Sequence, residues 1–165
     1  MPNAAALTPH GWRSTIFTRT KAACQRHLCF SPRLLPGQSE SALGTGIVTL
    51  PLELPIRVAE DAAVLDLMCG GRLEVGIGPG GNLSAYDAFG LDSTERTALL
   101  VRHHRILVDA WSGRALPGGD RLYPPNPGLA DRIWQATFNI EGARRAGAAG
   151  DGPVSYTHLT LPTKA

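Results

Sequence analysis

Glycine carries most of the chemical potential in this sequence. Gly76-Ile77-Gly78-Pro79-Gly80-Gly81 has the spacing G-x-G-x-x-G and follows an alternating apolar run, the setting in which a dinucleotide pyrophosphate can approach the backbone. That chemistry needs a helix opening directly behind the glycines, because the pyrophosphate rests on its N-terminus. Asn82 to Gly90 has no sustained apolar stripe, so the pattern expects the next helix only at Asp92. Pro79 also withdraws an amide donor from the turn. Two other readings remain open: a glycine-rich strand tip that lets a flat ligand approach the backbone, or glycines that only permit a sharp turn.

The remaining reactive side chains are sparse. His103 and His104 could act as bases, but both fall in the middle of a helical pattern, where packing or a solvated face is the expected role. Cys24, Cys29 and Cys69 form no CxxC pair and have no histidine at zinc-ligand spacing, so no metal site is expected. Scattered thiols argue for a reducing, cytoplasmic compartment. Trp134 sits in a strand pattern and is expected in the core in preference to stacking on a planar ligand. Asn139 is placed to cap a short helix or, with Glu141, to offer polar groups to a ligand.

Charge excludes one broad class of partner. The first 39 residues hold five basic side chains and no acid, while the remainder holds 11 basic and 14 acidic ones, with no basic stripe interleaved with aromatics. No nucleic-acid footprint results. The basic segment imitates an organelle transit peptide in composition, but it has no apolar stretch of the secretory type. No run approaches the roughly 18 apolar residues of a membrane span, and no membrane partner is expected.

The elements that position these residues alternate. Leu43 to Leu50 is a β-branched, apolar strand stopped by Pro51. A helix is expected from Ile56 to Met68, with Ile56, Ala59, Ala63 and Leu67 facing inward, Ala62 and Leu65 widening that face, and Gly70-Gly71 as its stop. Arg72 to Gly78 is a second strand. Asp92, with Glu95 three residues on, opens a long helix buried through Leu99, His103, Ile106, Leu107 and Ala110. A third strand is expected at Ile133 to Phe138, and a short helix from Glu141 to Ala149, closed by Gly150. Strand and helix alternating three times means an α/β fold with parallel strands and right-handed helical crossovers. Pattern alone leaves an open doubly wound sheet and a closed barrel equally available.

Three segments in order, Leu43-Gly44-Thr45-Gly46-Ile47-Val48-Thr49-Leu50-Pro51-Leu52, Pro55 to Asp66, and Gly70-Gly71-Arg72-Leu73-Glu74-Val75-Gly76-Ile77-Gly78, are followed by Ala88-Phe89-Gly90, Arg96 and Trp134-Gln135-Ala136. Together they resemble the third to fifth βα units of luciferase-like, flavin-dependent monooxygenases. The resemblance implies an incomplete (β/α)8 barrel of the TIM type, with a flavin lying across the carboxyl ends of the strands. Reduced FMN is the implied cofactor, with a deazaflavin in one branch, and the implied reaction inserts one oxygen atom from O2 into an organic substrate. By the same resemblance Gly46, Ile47 and Val48 match a strand end where a backbone bulge backs the flavin ring. Gly78, Pro79 and Gly80 match the next strand end, and Thr137 and Asn139 the one after. No catalytic side chain is assigned. The family allows a flavin reductase as partner and a dimer for the full-length protein.

Departures from the family bound these expectations. Met68-Cys69 stands where Leu-Ser is usual before the glycines, and Leu54 stands where a histidine often precedes the helix proline. Residues 1–39 have no counterpart of the first two strands and are expected to be irregular and foreign to the fold. The partial barrel is expected over 40–152. Residues 153–165 break in style and are expected to be a non-native tail. A closed barrel takes roughly 250 residues, so a chain of 165 is expected to be too incomplete for activity. The competing expectations are a noncatalytic flavin-binding or dimerisation module and a nucleotide-binding fragment.

Overall fold

The computed structural model describes residues 42–155. The irregular character expected of residues 1–39 and the foreign character expected of the tail beyond 155 lie outside the described residues. Within them the order is β1 (Leu43–Gly44), β2 (Val48–Thr49), α1 (Pro55–Met68), β3 (Leu73–Gly78), α2 (Leu83–Ala88), α3 (Arg96–Trp111), β4 (Ile133–Thr137), α4 (Ile140–Ala149) and β5 (Gly152–Ser155). All strand pairs are parallel. β1 and β2 both lie against β3, which lies against β4, which lies against β5. Spatial order therefore follows chain order, with no point at which it reverses. A doubly wound sheet reverses at its ligand crevice; this one winds in a single sense, as a barrel does.

Local chemistry explains the elements. Pro55 takes the first turn of α1, where an amide would go unbonded anyway. Gly70 and Gly71, at φ 69 and 78, end that helix: the Gly71 amide donates to the Asp66 carbonyl at 2.8 Å and the Gly70 amide to that of Leu67 at 3.2 Å. This is the paired C-terminal closure that only left-handed residues make without strain. Asp92 accepts from the Thr94 amide at 2.8 Å and caps the 3-10 turn that leads into α3. Asn139 accepts from the Gly142 amide at 2.7 Å and caps α4.

The core lies between the sheet and the helix layer. Leu73, Val75, Ile77 and Ile133 leave the sheet on one face and meet Val58, Ala59, Ala62, Leu100, Leu107 and Trp111. Trp111 is fully buried, and its Nε1 donates to the Ala59 carbonyl at 2.9 Å, which joins α3 to α1. Asp66, 3% exposed, fastens the amino end of the sheet. It accepts from the Leu73 amide at 2.9 Å, from Asn126 at 2.7 Å and from Arg132 at 2.8 and 2.9 Å.

Five expectations are corrected. The single strand expected from Leu43 to Leu50 is two short ones, Leu43–Gly44 and Val48–Thr49, and Leu50 already belongs to a 3-10 turn. Leu67 is 63% exposed and leaves the buried face of α1, which Val58 joins beside the expected Ala62 and Leu65. The third predicted strand ends at Thr137, leaving Phe138 57% exposed. Gly152–Ser155 forms an edge strand in register with Trp134 to Thr137, so sheet structure continues past residue 152. Leu83–Ala88 is a six-residue helix where an open loop was expected; a single buried anchor, Tyr86, holds it in place of a stripe.

Candidate functional site

The carboxyl ends of β2, β3 and β4 form one rim. Thr49 pairs with Gly78, and Ile77 with Gln135, so the tips at Thr49, Gly78 and Ala136 stand side by side. Their approach is close enough to exclude side chains. A methyl group built on Gly78 would lie 2.9 Å from Ile47 Cγ2 and 3.0 Å from Ala136 Cβ. One built on Gly80 would lie 2.6 Å from Thr49 Cγ2. The glycines of this rim thus answer first to packing between neighbouring strands.

Between β1 and β2 the backbone bulges. Leu43 pairs with Leu73 and Val48 with Ile77, so five steps along one strand face four along its neighbour. The surplus residue falls within Thr45–Ile47, which makes no ladder pairing, and such bulges are rare in parallel pairs. A methyl group on Gly76 would lie 2.6 Å from the Gly46 carbonyl oxygen and 2.8 Å from that of Thr45, so the bulge folds over Gly76. Gly46 itself meets nothing within 4 Å on the side a side chain would occupy. The bulge therefore presents bare backbone to open space, with Ile47 lying across Gly76 and Gly78.

The eight expected site residues gather at this rim but present different atoms. Val48 turns its side chain into the core. Pro79 is buried, and its carbonyl accepts the Tyr86 hydroxyl at 2.5 Å. Thr137 is buried, with its hydroxyl 3.4 Å from the Val154 carbonyl and its methyl group beside Gly142. The Asn139 oxygen is occupied by the cap of α4. What the rim offers a ligand is open backbone at Gly46, partly exposed backbone at Gly80 and one apolar side chain, Ile47, while Gly78 is buried beneath Ile47 and Ala136. A bare, nonpolar ledge of this kind fits the face of a planar ring, and main-chain amides and carbonyls fit its polar edge.

The other candidates serve the scaffold. His103 Nδ1 lies 3.0 Å from the Leu50 carbonyl and steadies the turn behind β2. His104 Nε2 lies 2.9 Å from Asp151, which also takes a 2.5 Å hydrogen bond from Gln135. Trp134, expected in the core, instead lies half-buried on the inner face below the rim, where it donates to Glu74 at 2.6 Å. Among the described residues no group of three or more His, Cys, Asp or Glu is placed to hold a metal ion. Sequence reasoning missed Tyr86, whose burial raises its hydroxyl pKa despite the opposing charge of Arg96. It also missed Thr45 and Asp66.

The glycine motif does not make a dinucleotide turn. A helix does open behind it, at Leu83, contrary to expectation, but α2 is not the crossover. α3 is the helix that packs on α1 and precedes β4. The faces of Gly76 and Gly78 are filled by Thr45, Gly46, Ile47 and Ala136, where a pyrophosphate would need room.

A singly wound parallel sheet with one helix layer and a glycine rim at its carboxyl edge is part of a (β/α)8-type barrel. Residues 39–164 match the family described as luciferase-like monooxygenase. The chain belongs to that family. It is 37% identical over 113 residues to the uncharacterized protein y4vJ of Sinorhizobium fredii, an alignment covering 63% of this chain and 32% of that protein. The chain spans about a third of the length of the curated relatives it matches first. Two solved structures share the fold. One is the oxygenating constituent of 3,6-diketocamphane monooxygenase from Pseudomonas putida, in complex with FMN (TM-score 0.59, 19% identity, 69% of this chain and 38% of that one). The other is the coenzyme F420 dependent tetrahydromethanopterin reductase of Methanopyrus kandleri (TM-score 0.59, 17% identity, 75% and 42%).

Proposed function

We propose that this chain is the flavin-backing part of a monooxygenase that inserts one oxygen atom from O2 into a small organic substrate. The observation that carries this reading is the bulge at Thr45–Ile47, with the open face of Gly46, on a barrel rim of a luciferase-like family member. Gly46, Ile47 and the backbone of Val48 would support the ring. Gly78, Pro79 and Gly80 would border it on one side, and the main chain from Thr137 to Asn139 beyond. Reduced FMN, when bound, supplies the electrons that activate O2, and the protein orients it and keeps water from the ring. A flavin reductase is the partner that would deliver the cofactor in its reduced form.

FMN is preferred over a deazaflavin because oxygen insertion needs a flavin that reacts with O2. Titration of the chain with oxidised FMN, followed by quenching of flavin fluorescence, tests the reading. Saturable binding in the micromolar range is expected, with a deazaflavin binding more weakly. No saturation at about 1 mM, an affinity of only ~4 kcal/mol, would remove flavin binding from this chain.

A further inference from the structure

Through the bulge, one hydroxyl takes the place of a carbonyl. The Leu43 amide donates to the Arg72 carbonyl at 2.9 Å and the Thr45 amide to that of Glu74 at 3.0 Å, as a parallel ladder requires. The next bond of such a ladder runs back from the Gly76 amide to the Thr45 carbonyl. Here the Gly76 amide donates to the Thr45 hydroxyl oxygen at 2.8 Å, and that hydroxyl lies 3.4 Å from the Gly76 carbonyl as its own acceptor. A hydroxyl can serve both ways at once. The carbonyls of Thr45 and Gly46, relieved of the ladder, stand over the inner face of Gly76.

We infer that Thr45 is a positioning residue for the flavin ring: by taking the ladder amide on its side chain it holds the bulge open and keeps the Gly46 ledge on the inner face. The inference rests on the flavin reading above. Gly76 completes the clasp, since any side chain there would strike both carbonyls. Valine at position 45 keeps the shape and loses the hydroxyl, whereas serine keeps the hydroxyl and loses a methyl group.

The test compares the parent chain with Thr45→Val and Thr45→Ser. Two readouts are used: hydrogen exchange of the Gly76 amide by NMR without ligand, and titration with oxidised FMN. Thr45→Val is expected to speed Gly76 exchange and to weaken FMN binding, each about tenfold, the loss of one partly buried hydrogen bond. Thr45→Ser is expected to stay within about threefold of the parent on both. Unchanged exchange and affinity in Thr45→Val would overturn the inference, and so would equal losses in both variants. A parent chain that binds no FMN sinks the flavin reading instead, and Gly76 exchange alone then upholds or overturns the clasp.

Discussion

At the scale of single residues, the strongest polar commitment is far from the rim. Burial by itself would raise the Asp66 pKa, but hydrogen bonds from Arg132, Asn126 and the Leu73 amide, with the Arg132 charge, outweigh it and lower the value. A lowered folded-state pKa means a contribution to stability that is present above the unfolded value, near pH 4, and lost as pH falls through the folded one. Asp66→Asn leaves Arg132 facing a neutral partner at 23% side-chain exposure. The variant is expected to lose about 3 kcal/mol at pH 7, the cost of breaking a largely buried pair. Urea midpoints at pH 7 and pH 3 check it: the gap between parent and variant must shrink at the lower pH. An equal gap at both would mean that the carboxylate charge contributes nothing.

Asp66 also shows what pattern could not reveal. It sits among Ala62, Ala63 and Leu65 as an ordinary polar break in a helix, and its partner is Arg132, 66 positions away. Nothing local announces a contact of that range.

At the scale of elements, legibility followed periodicity. α1, β3 and α3 each carry a long enough apolar repeat, with a proline, glycine or aspartate at the boundary; α1 and β3 form where the sequence placed them, and α3 begins one turn later, at Arg96, behind the 3-10 turn that Asp92 caps. α2 and β5 do not. α2 has six residues and one buried anchor, too few to sustain a stripe. β5 has four residues with Pro153 among them, and proline is tolerated on an edge strand because the missing amide need not find a partner. The tips around Gly46 and Gly78 were legible only through resemblance. Spacing gave the glycines, but the bulge that explains Gly76 depends on pairing between residues about 30 apart.

That dependence is measurable. Gly76→Ala places a methyl group 2.6 Å from a backbone oxygen, which cannot swing aside as a flexible side chain can. A cost of ~1–3 kcal/mol is expected from the forced shift of the bulge. Gly44→Ala, in open space on the neighbouring strand β1, is expected to change stability by less than about 0.5 kcal/mol. Thermal unfolding of the two variants side by side decides the point; similar costs would show that the bulge moves freely and does not constrain Gly76.

At the scale of the molecule, the sheet is a sector of a ring. Among the described residues β5 pairs only with β4, and β1 and β2 only with β3, so two parallel edges have no strand beside them. The inner face holds Gly76, Gly78, Ala136 and Val154, with few polar groups above the Glu74–Trp134 pair. Open, weakly charged edges are templates for another chain, and proteins blunt them with inward-pointing charge. Val154 is on the edge strand and on the inner face, in register with Ala136. Val154→Lys is therefore expected to reduce self-association of the isolated chain without displacing a core side chain. Sedimentation equilibrium over a range of concentrations reads it directly. The parent mass should rise with concentration while that of the variant stays near 17.5 kDa. If both stay monomeric, the edges do not drive association; if both associate alike, the contact runs through the helix layer, where Val64, Leu67 and Met68 of α1 are exposed.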